Sequence, residues 1–99
     1  GWRILAAGYQ SRFGEIDLIA ADGAYLAFVE VKLRKDANFA PGRAAVDRRK
    51  QARLRATAEL WLAEHPGLAL QPRFDVAEIC APQGAATRNP RITWIENAF

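Results

Sequence analysis

The sequence predicts an α/β domain: one five-stranded mixed sheet, strands side by side in chain order 1-2-3-4-5, with a long helix between strands three and four. Three observations point to it. Asp22-Gly23 is a hairpin turn signal between two alternating apolar stretches, so strands two and three pair antiparallel. Arg48 to Glu64 contains neither Gly nor Pro, and Leu54, Ala58, Trp61 and Leu62 recur at helical spacing. A strand–helix–strand connection then makes strands three and four parallel, with a right-handed crossover.

Trp2 to Tyr9 forms the first strand. Gly14 closes a short polar link, and Glu15 to Ala20 alternates as the second strand. The third runs from Tyr25 to Leu33. Tyr25, Ala27, Val29, Val31 and Leu33 point one way, Leu26 and Phe28 the other, so this strand is apolar on both faces and belongs at the centre of the sheet. Short links make the first three strands an antiparallel meander. Residues 34 to 46 contain Pro41-Gly42 and several bases, and read as a flexible flap that closes on phosphates. Asp47 is a good N-cap, and the helix stops at His65-Pro66-Gly67. Arg73 to Cys80 is the fourth strand and Arg91 to Glu96 the fifth. One helix does not cover both faces of such a sheet. A second copy would cover the other face, or a helix ahead of residue 1; methionine is absent even at position 1, which favours the helix.

With 99 residues, 51% hydrophobic and 25% charged, the chain suits one core and not a disordered segment. The longest apolar run, Ala24 to Val29, has six residues, too few to span a membrane. No charged start leads into an apolar stretch, so a secretory signal is not visible and a cytoplasmic location is expected. Cys80 is the sole cysteine and His65 the sole histidine, which excludes an internal disulfide, a zinc cage and an imidazole metal site. Any metal must be held by carboxylates, which suits magnesium or manganese.

The charge is concentrated. Residues 31 to 60 hold nine of the 14 bases and three of the 11 acids, a net of +6 that leaves −3 for the remainder. Eleven of the bases are arginine, whose planar fork suits phosphate. A charge run of this kind is either a solvated helix face or a phosphate-backbone footprint. On the second reading Arg34, Lys35, Arg43, Arg48, Arg49 and Lys50 contact nucleic acid. Arg48, Arg49 and Lys50 lie in the first helical turn, against the helix dipole, a placement that has a use beside a phosphate.

Glu30 and Lys32 share a face of strand three with Leu26 and Phe28. A two-residue turn at Asp22-Gly23 sets Glu15 opposite Glu30 and Asp17 opposite Phe28, with Asp17 diagonal to Glu30. Three acids and a lysine then emerge at one end of an otherwise apolar face. Like charges so placed oppose folding, and neutralising one acid should relieve that repulsion. A divalent cation removes the cost and polarises a phosphate while activating water. Two of these carboxylates and the carbonyl of Val31 are its expected ligands, with Lys32 supporting the phosphate charge.

The set Gly14-Glu15-Ile16-Asp17-Leu18-Ile19-Ala20, Phe28-Val29-Glu30-Val31-Lys32, Lys50-Gln51, Arg73-Phe74-Asp75-Val76 and Glu96-Asn97-Ala98-Phe99 resembles the YraN-like family of uncharacterised bacterial proteins over nearly the whole chain. That family is similar to Holliday-junction resolvases and to the wider PD-(D/E)xK nucleases. The resemblance implies a restriction-endonuclease-like fold and a single nuclease-like domain over residues 1–99. It implies Asp17 as metal-binding acid, Glu30 as second acid and Lys32 as motif lysine, with Glu15 a candidate additional acid. In such nucleases a helix commonly precedes the first strand. Gln51 lies on the inward stripe of the helix, where a polar side chain needs a partner. It either bonds nearby backbone in the first turn or, as the resemblance favours, joins the catalytic set by reaching toward Lys32.

Other residues carry less. His65 reads as a capping residue, Cys80 as a buried strand residue, Asp75 as a buried paired acid, and Trp2, Trp61 and Trp94 as core. Phe39 is the aromatic to test for base stacking. The expected function is a magnesium- or manganese-dependent endonuclease hydrolysing DNA, selective for branched or flapped structures. The alternatives are a nucleic-acid-binding module with the nuclease fold and no turnover, and a structural protein whose acids are solvated. No membrane partner is expected, and a homodimer is compatible with the sequence.

Overall fold

The computed structural model describes residues 2–34 and 46–99. Its elements are β1 (Trp2–Ser11), β2 (Gly14–Asp22), β3 (Tyr25–Arg34), α1 (Arg48–Ala63), β4 (Gln71–Cys80) and β5 (Arg91–Ile95), with a short 3-10 turn at Gly84–Ala86. The sheet order is β1-β2-β3-β4-β5. β3 and β4 are parallel, from Tyr25↔Gln71 to Arg34↔Cys80, and the other neighbours are antiparallel. In chain order α1 follows β3 and precedes β4; in space its backbone lies closest to β2. The flap expected over residues 34–46, with Lys35, Phe39 and Arg43, lies almost wholly outside the described residues.

The hairpin differs from expectation by two residues of register. Asp22 remains in β2 and pairs with Tyr25, so the two turn residues are Gly23 and Ala24. Gly23 has φ +60 and Ala24 an ordinary negative φ. A positive φ at the first central position alone is the type II′ arrangement, where glycine carries no Cβ penalty. Ile19 therefore faces Phe28, not Asp17. Continuing the register sets Asp17 opposite Glu30 and moves Glu15 past it.

Asp47 caps α1 as predicted. Its Oδ1 accepts the Lys50 N–H at 2.8 Å, with backbone φ −74 and ψ 173. No acid stands in the first turn to assist it. Asp47→Ala should therefore cost about 1 kcal/mol and lower the melting temperature by roughly 4–8 °C; an unchanged melting temperature would show that the cap contributes nothing.

Leu54, Thr57, Ala58 and Trp61 form the buried stripe of α1. They pack on Ile16, Ile19, Leu26, Phe28, Phe74 and Val76. Phe28 anchors this layer, edge-on to Trp61 at 6.0 Å and stacked on Phe74 at 5.6 Å. Buried Thr57 is satisfied by the Arg53 carbonyl and the Ser11 hydroxyl, each at 2.9 Å. Gly14 opens β2 with a φ of +155, a conformation that disfavours a side chain, although a Cβ there would meet Arg53 Cβ and Thr57 Oγ1 only at an ordinary contact distance of 3.8 Å.

The face away from α1 buries Ala27, Val29 and Ala77. It also buries Asp75, which is fully enclosed. Arg73 Nε donates to both Asp75 oxygens at 3.1 Å, Trp94 Nε1 to Oδ2 at 2.8 Å and the Asn97 N–H to Oδ1 at 2.9 Å. Asp75 is thus a buried paired acid, as read from the sequence. Trp2 and Trp94 are not core residues, being 42% and 38% exposed. Their rings meet at 5.0 Å although they sit on opposite edge strands. Four ladder spacings in a flat sheet amount to roughly 19 Å, so the sheet coils to bring its edges together. Arg73 lies between them and Tyr25, 5.3 Å from the Trp2 ring centre and 5.1 Å from that of Tyr25. Among the described residues no helix is long and apolar enough to cross a membrane.

Candidate functional site

The site forms where β2 and β3 separate. Their last paired residues are Leu18 and Val29. Just beyond, Asp17 Oδ2 accepts the Val31 N–H at 2.8 Å. A side-chain carboxylate thus satisfies a donor that a β2 carbonyl would meet further along the ladder. Ile16 and Ile19 are three apart yet both pack on the helix side. Strict alternation of β2 is broken between them, and Asp17 lies in the break.

Glu30 follows Phe28 on the helix-facing side of β3 and is only 7% exposed. A carboxylate so buried requires counter-charge. Lys50, from the first turn of α1, places Nζ 2.5 Å from Glu30 Oε1, and Lys32 places Nζ 3.3 Å from the same oxygen. Lys50 is four residues before Leu54 and eight before Ala58, so it heads the buried stripe of the helix. That spacing was visible in the sequence, where the residue's basic neighbours assign it to a solvent-facing phosphate footprint. The adverse placement of a base in the first turn is offset by Glu30.

The two ammoniums perturb each other. The Lys32 pKa is lowered, first by hydrogen bonding with Lys50, then by burial and the Lys50 charge, against the pull of Glu30. Burial also pushes Lys50 down, but hydrogen bonds with Glu30 and Lys32 and the charges of Glu30 and Asp17 outweigh it and raise its pKa. Lys32 is therefore the readier of the two to lose a proton.

Asp17, Glu30 and Lys50 line a cleft of about 250 Å³, with Gly14, Glu15 and Arg53 at its sides. Glu15 is exposed. Val31 joins the site through its amide, held by Asp17. Gln51 takes the first of its two expected alternatives: Nε2 donates to the Val46 carbonyl at 2.9 Å, tying down the helix entry. Arg48 and Arg49 are exposed on the first turn, and Arg34 is half-buried at the end of β3. Glu78 was not singled out from the sequence. It alternates with Phe74 and Val76 on the helix side of β4, in register with Lys32. It is 4% exposed, and its Oε1 has no hydrogen-bond partner among the described residues. Among the described residues no group of three or more acid, histidine or cysteine ligands converges on one point.

Fold and site together define an α/β protein with a charged cleft at the end of its central strands, lined by Asp17, Glu30 and Lys50, with Lys32 on Glu30. The chain belongs to the uncharacterised protein family UPF0102, whose family model matches residues 1–79. The motif resemblance read from the sequence holds at the level of this family. A UPF0102 protein of Xanthomonas campestris pv. campestris (strain B100) is 46% identical over 100 residues, covering all of this chain and 77% of the relative. One of Halorhodospira halophila (strain DSM 244 / SL1) is 43% identical over 99 residues, covering all of this chain and 73% of the relative. One of Enterobacter sp. (strain 638) is 43% identical over 101 residues, covering all of this chain and 71% of the relative.

Proposed function

We propose that the protein is a divalent-metal-dependent endonuclease that hydrolyses DNA phosphodiester bonds, with a restriction-endonuclease-like fold and a relationship to the resolvases. The observation that carries this reading is the convergence of Asp17, Glu30 and Lys50 in one cleft at the end of the central strands, with Lys32 on the same Glu30 oxygen. The donors fit magnesium or manganese: two carboxylates and the Val31 carbonyl are hard oxygen ligands, and such ions keep several waters. Asp17 commits only Oδ2 to Val31, and Glu30 uses Oε1 for both ammoniums. When bound, the ion supplies charge to the scissile phosphate and activates water. Asp17 and Glu30 orient it; Lys32 stabilises charge that develops on the phosphate oxygens. No side-chain nucleophile is needed.

Arg48 and Arg49 extend the positive surface of the first helical turn beyond the cleft. Reversing both to Glu should weaken DNA binding and flatten its salt dependence by about two units of log–log slope. An unchanged slope would remove the helix terminus from the interface. The reading as a whole is tested by cleavage of flap, junction and single-stranded DNA with magnesium or manganese. Binding of metal and DNA with no cleavage of any substrate would favour the binding-module alternative, which the ammonium-covered Glu30 also accommodates. A cytoplasmic location, where chromosomal DNA lies, goes with this reading.

A further inference from the structure

We infer that Lys50 is the internal counter-cation of the site: its ammonium neutralises the Glu30 carboxylate that a divalent ion would share, and it exchanges that carboxylate for substrate phosphate when the ion enters. The inference rests on the metal-dependent reading above and adds to it the residue that sets metal affinity.

Glu30 cannot remain buried and ionised without a cation. In the structure two ammoniums meet one of its oxygens, and the closer of them, Lys50, comes from the helix and not from the strand that bears the acid. Asp17 lines the same cleft as Glu30. A divalent ion shared by these acids and the Lys50 ammonium would compete for the same negative charge.

The geometry permits the exchange. The Lys50 main chain is fixed, because its N–H is held by Asp47. Its side chain is not enclosed, being 31% exposed, and four methylenes let the ammonium swing without disturbing the helix. Arg53, one turn further along α1, also lines the cleft. A displaced Lys50 therefore joins a basic rim on the path of an incoming phosphate, while Lys32 stays on the same strand as Glu30. Without metal, the two acids of the site are thus matched by two ammoniums.

The test is manganese binding by titration calorimetry, without DNA, for wild type, Lys50→Met and Asp17→Asn. Lys50→Met should bind manganese at least about tenfold more tightly than wild type, whereas a merely structural role for Lys50 predicts weaker binding. A companion measurement omits metal: Lys50→Met should melt below wild type, and adding Glu30→Gln to it should recover much of that loss. Binding by Lys50→Met when wild type shows none also supports the inference. Equal or weaker binding by Lys50→Met, with wild type binding, overturns the role of Lys50 and leaves the metal-dependent reading standing. No binding by either protein overturns both.

Discussion

Asp17→Asn is expected to remove divalent-ion binding and to reduce DNA cleavage by about three orders of magnitude or more, the scale of losing a group that organises transition-state charge. The fold should survive, because an Asn oxygen can still accept the Val31 N–H. The structure changes one part of the sequence-based expectation. Acids in this cleft are balanced by Lys50 and Lys32, so neutralising Glu30 relieves no repulsion and instead leaves two ammoniums without their carboxylate. Glu30→Gln should therefore lower metal-free stability as well as activity. Lys32→Ala should keep metal binding and lower turnover by roughly 10²–10³. Calorimetry and cleavage assays on the same preparations separate these cases. Equal cleavage by wild type and Asp17→Asn would place the activity elsewhere.

The second large effect lies across the sheet. Asp75→Ala is expected to destabilise the protein by about 3–5 kcal/mol, the cost of breaking a buried charge network and leaving Arg73 without its main partner. Against a typical domain stability of about 5–15 kcal/mol this is roughly a fifth or more of the total. Asp75→Asn should recover little, because its amide would aim a donor at Arg73, Trp94 or the Asn97 N–H. Urea denaturation measures both. A loss below about 1 kcal/mol would mean that the network roughly balances its own desolvation.

Local chemistry made most of the fold legible. Alternation marks β2, apolarity on both faces marks β3 as central, and Asp47 marks the helix start. Each of these signals acts within a few residues. The failures needed information from further away. Asp22-Gly23 identified a hairpin, but whether Asp22 turns or pairs depends on its fit against Tyr25, which shifts the register by two. Trp2 and Trp94 looked like core residues because composition does not reveal that the sheet coils until its edges touch. In the site, Asp17, Glu30 and Lys32 were legible because they are short-range neighbours on one hairpin. Lys50 was read only with a phosphate partner: its helical phase pointed inward toward Glu30, and its basic neighbours obscured that. Glu78 was missed because β4 must be laid in register beside β3 before it stands next to Lys32.

Asp75 also gives the two faces of the sheet different histories during synthesis. Its hydrogen-bond partners Trp94 and Asn97 follow it by 19 and 22 residues. At ribosomal speeds of about 5–20 residues per second, those partners arrive roughly one to four seconds after Asp75 itself. The acids and lysines of the cleft are already made by then, since all precede β4. The nascent chain can thus assemble the helix-side layer while the Asp75 carboxylate on the other face of β4 has Arg73 alone as its partner. Closing that second face is then a late, all-or-none event, timed by the emergence of β5 and the residues just after it.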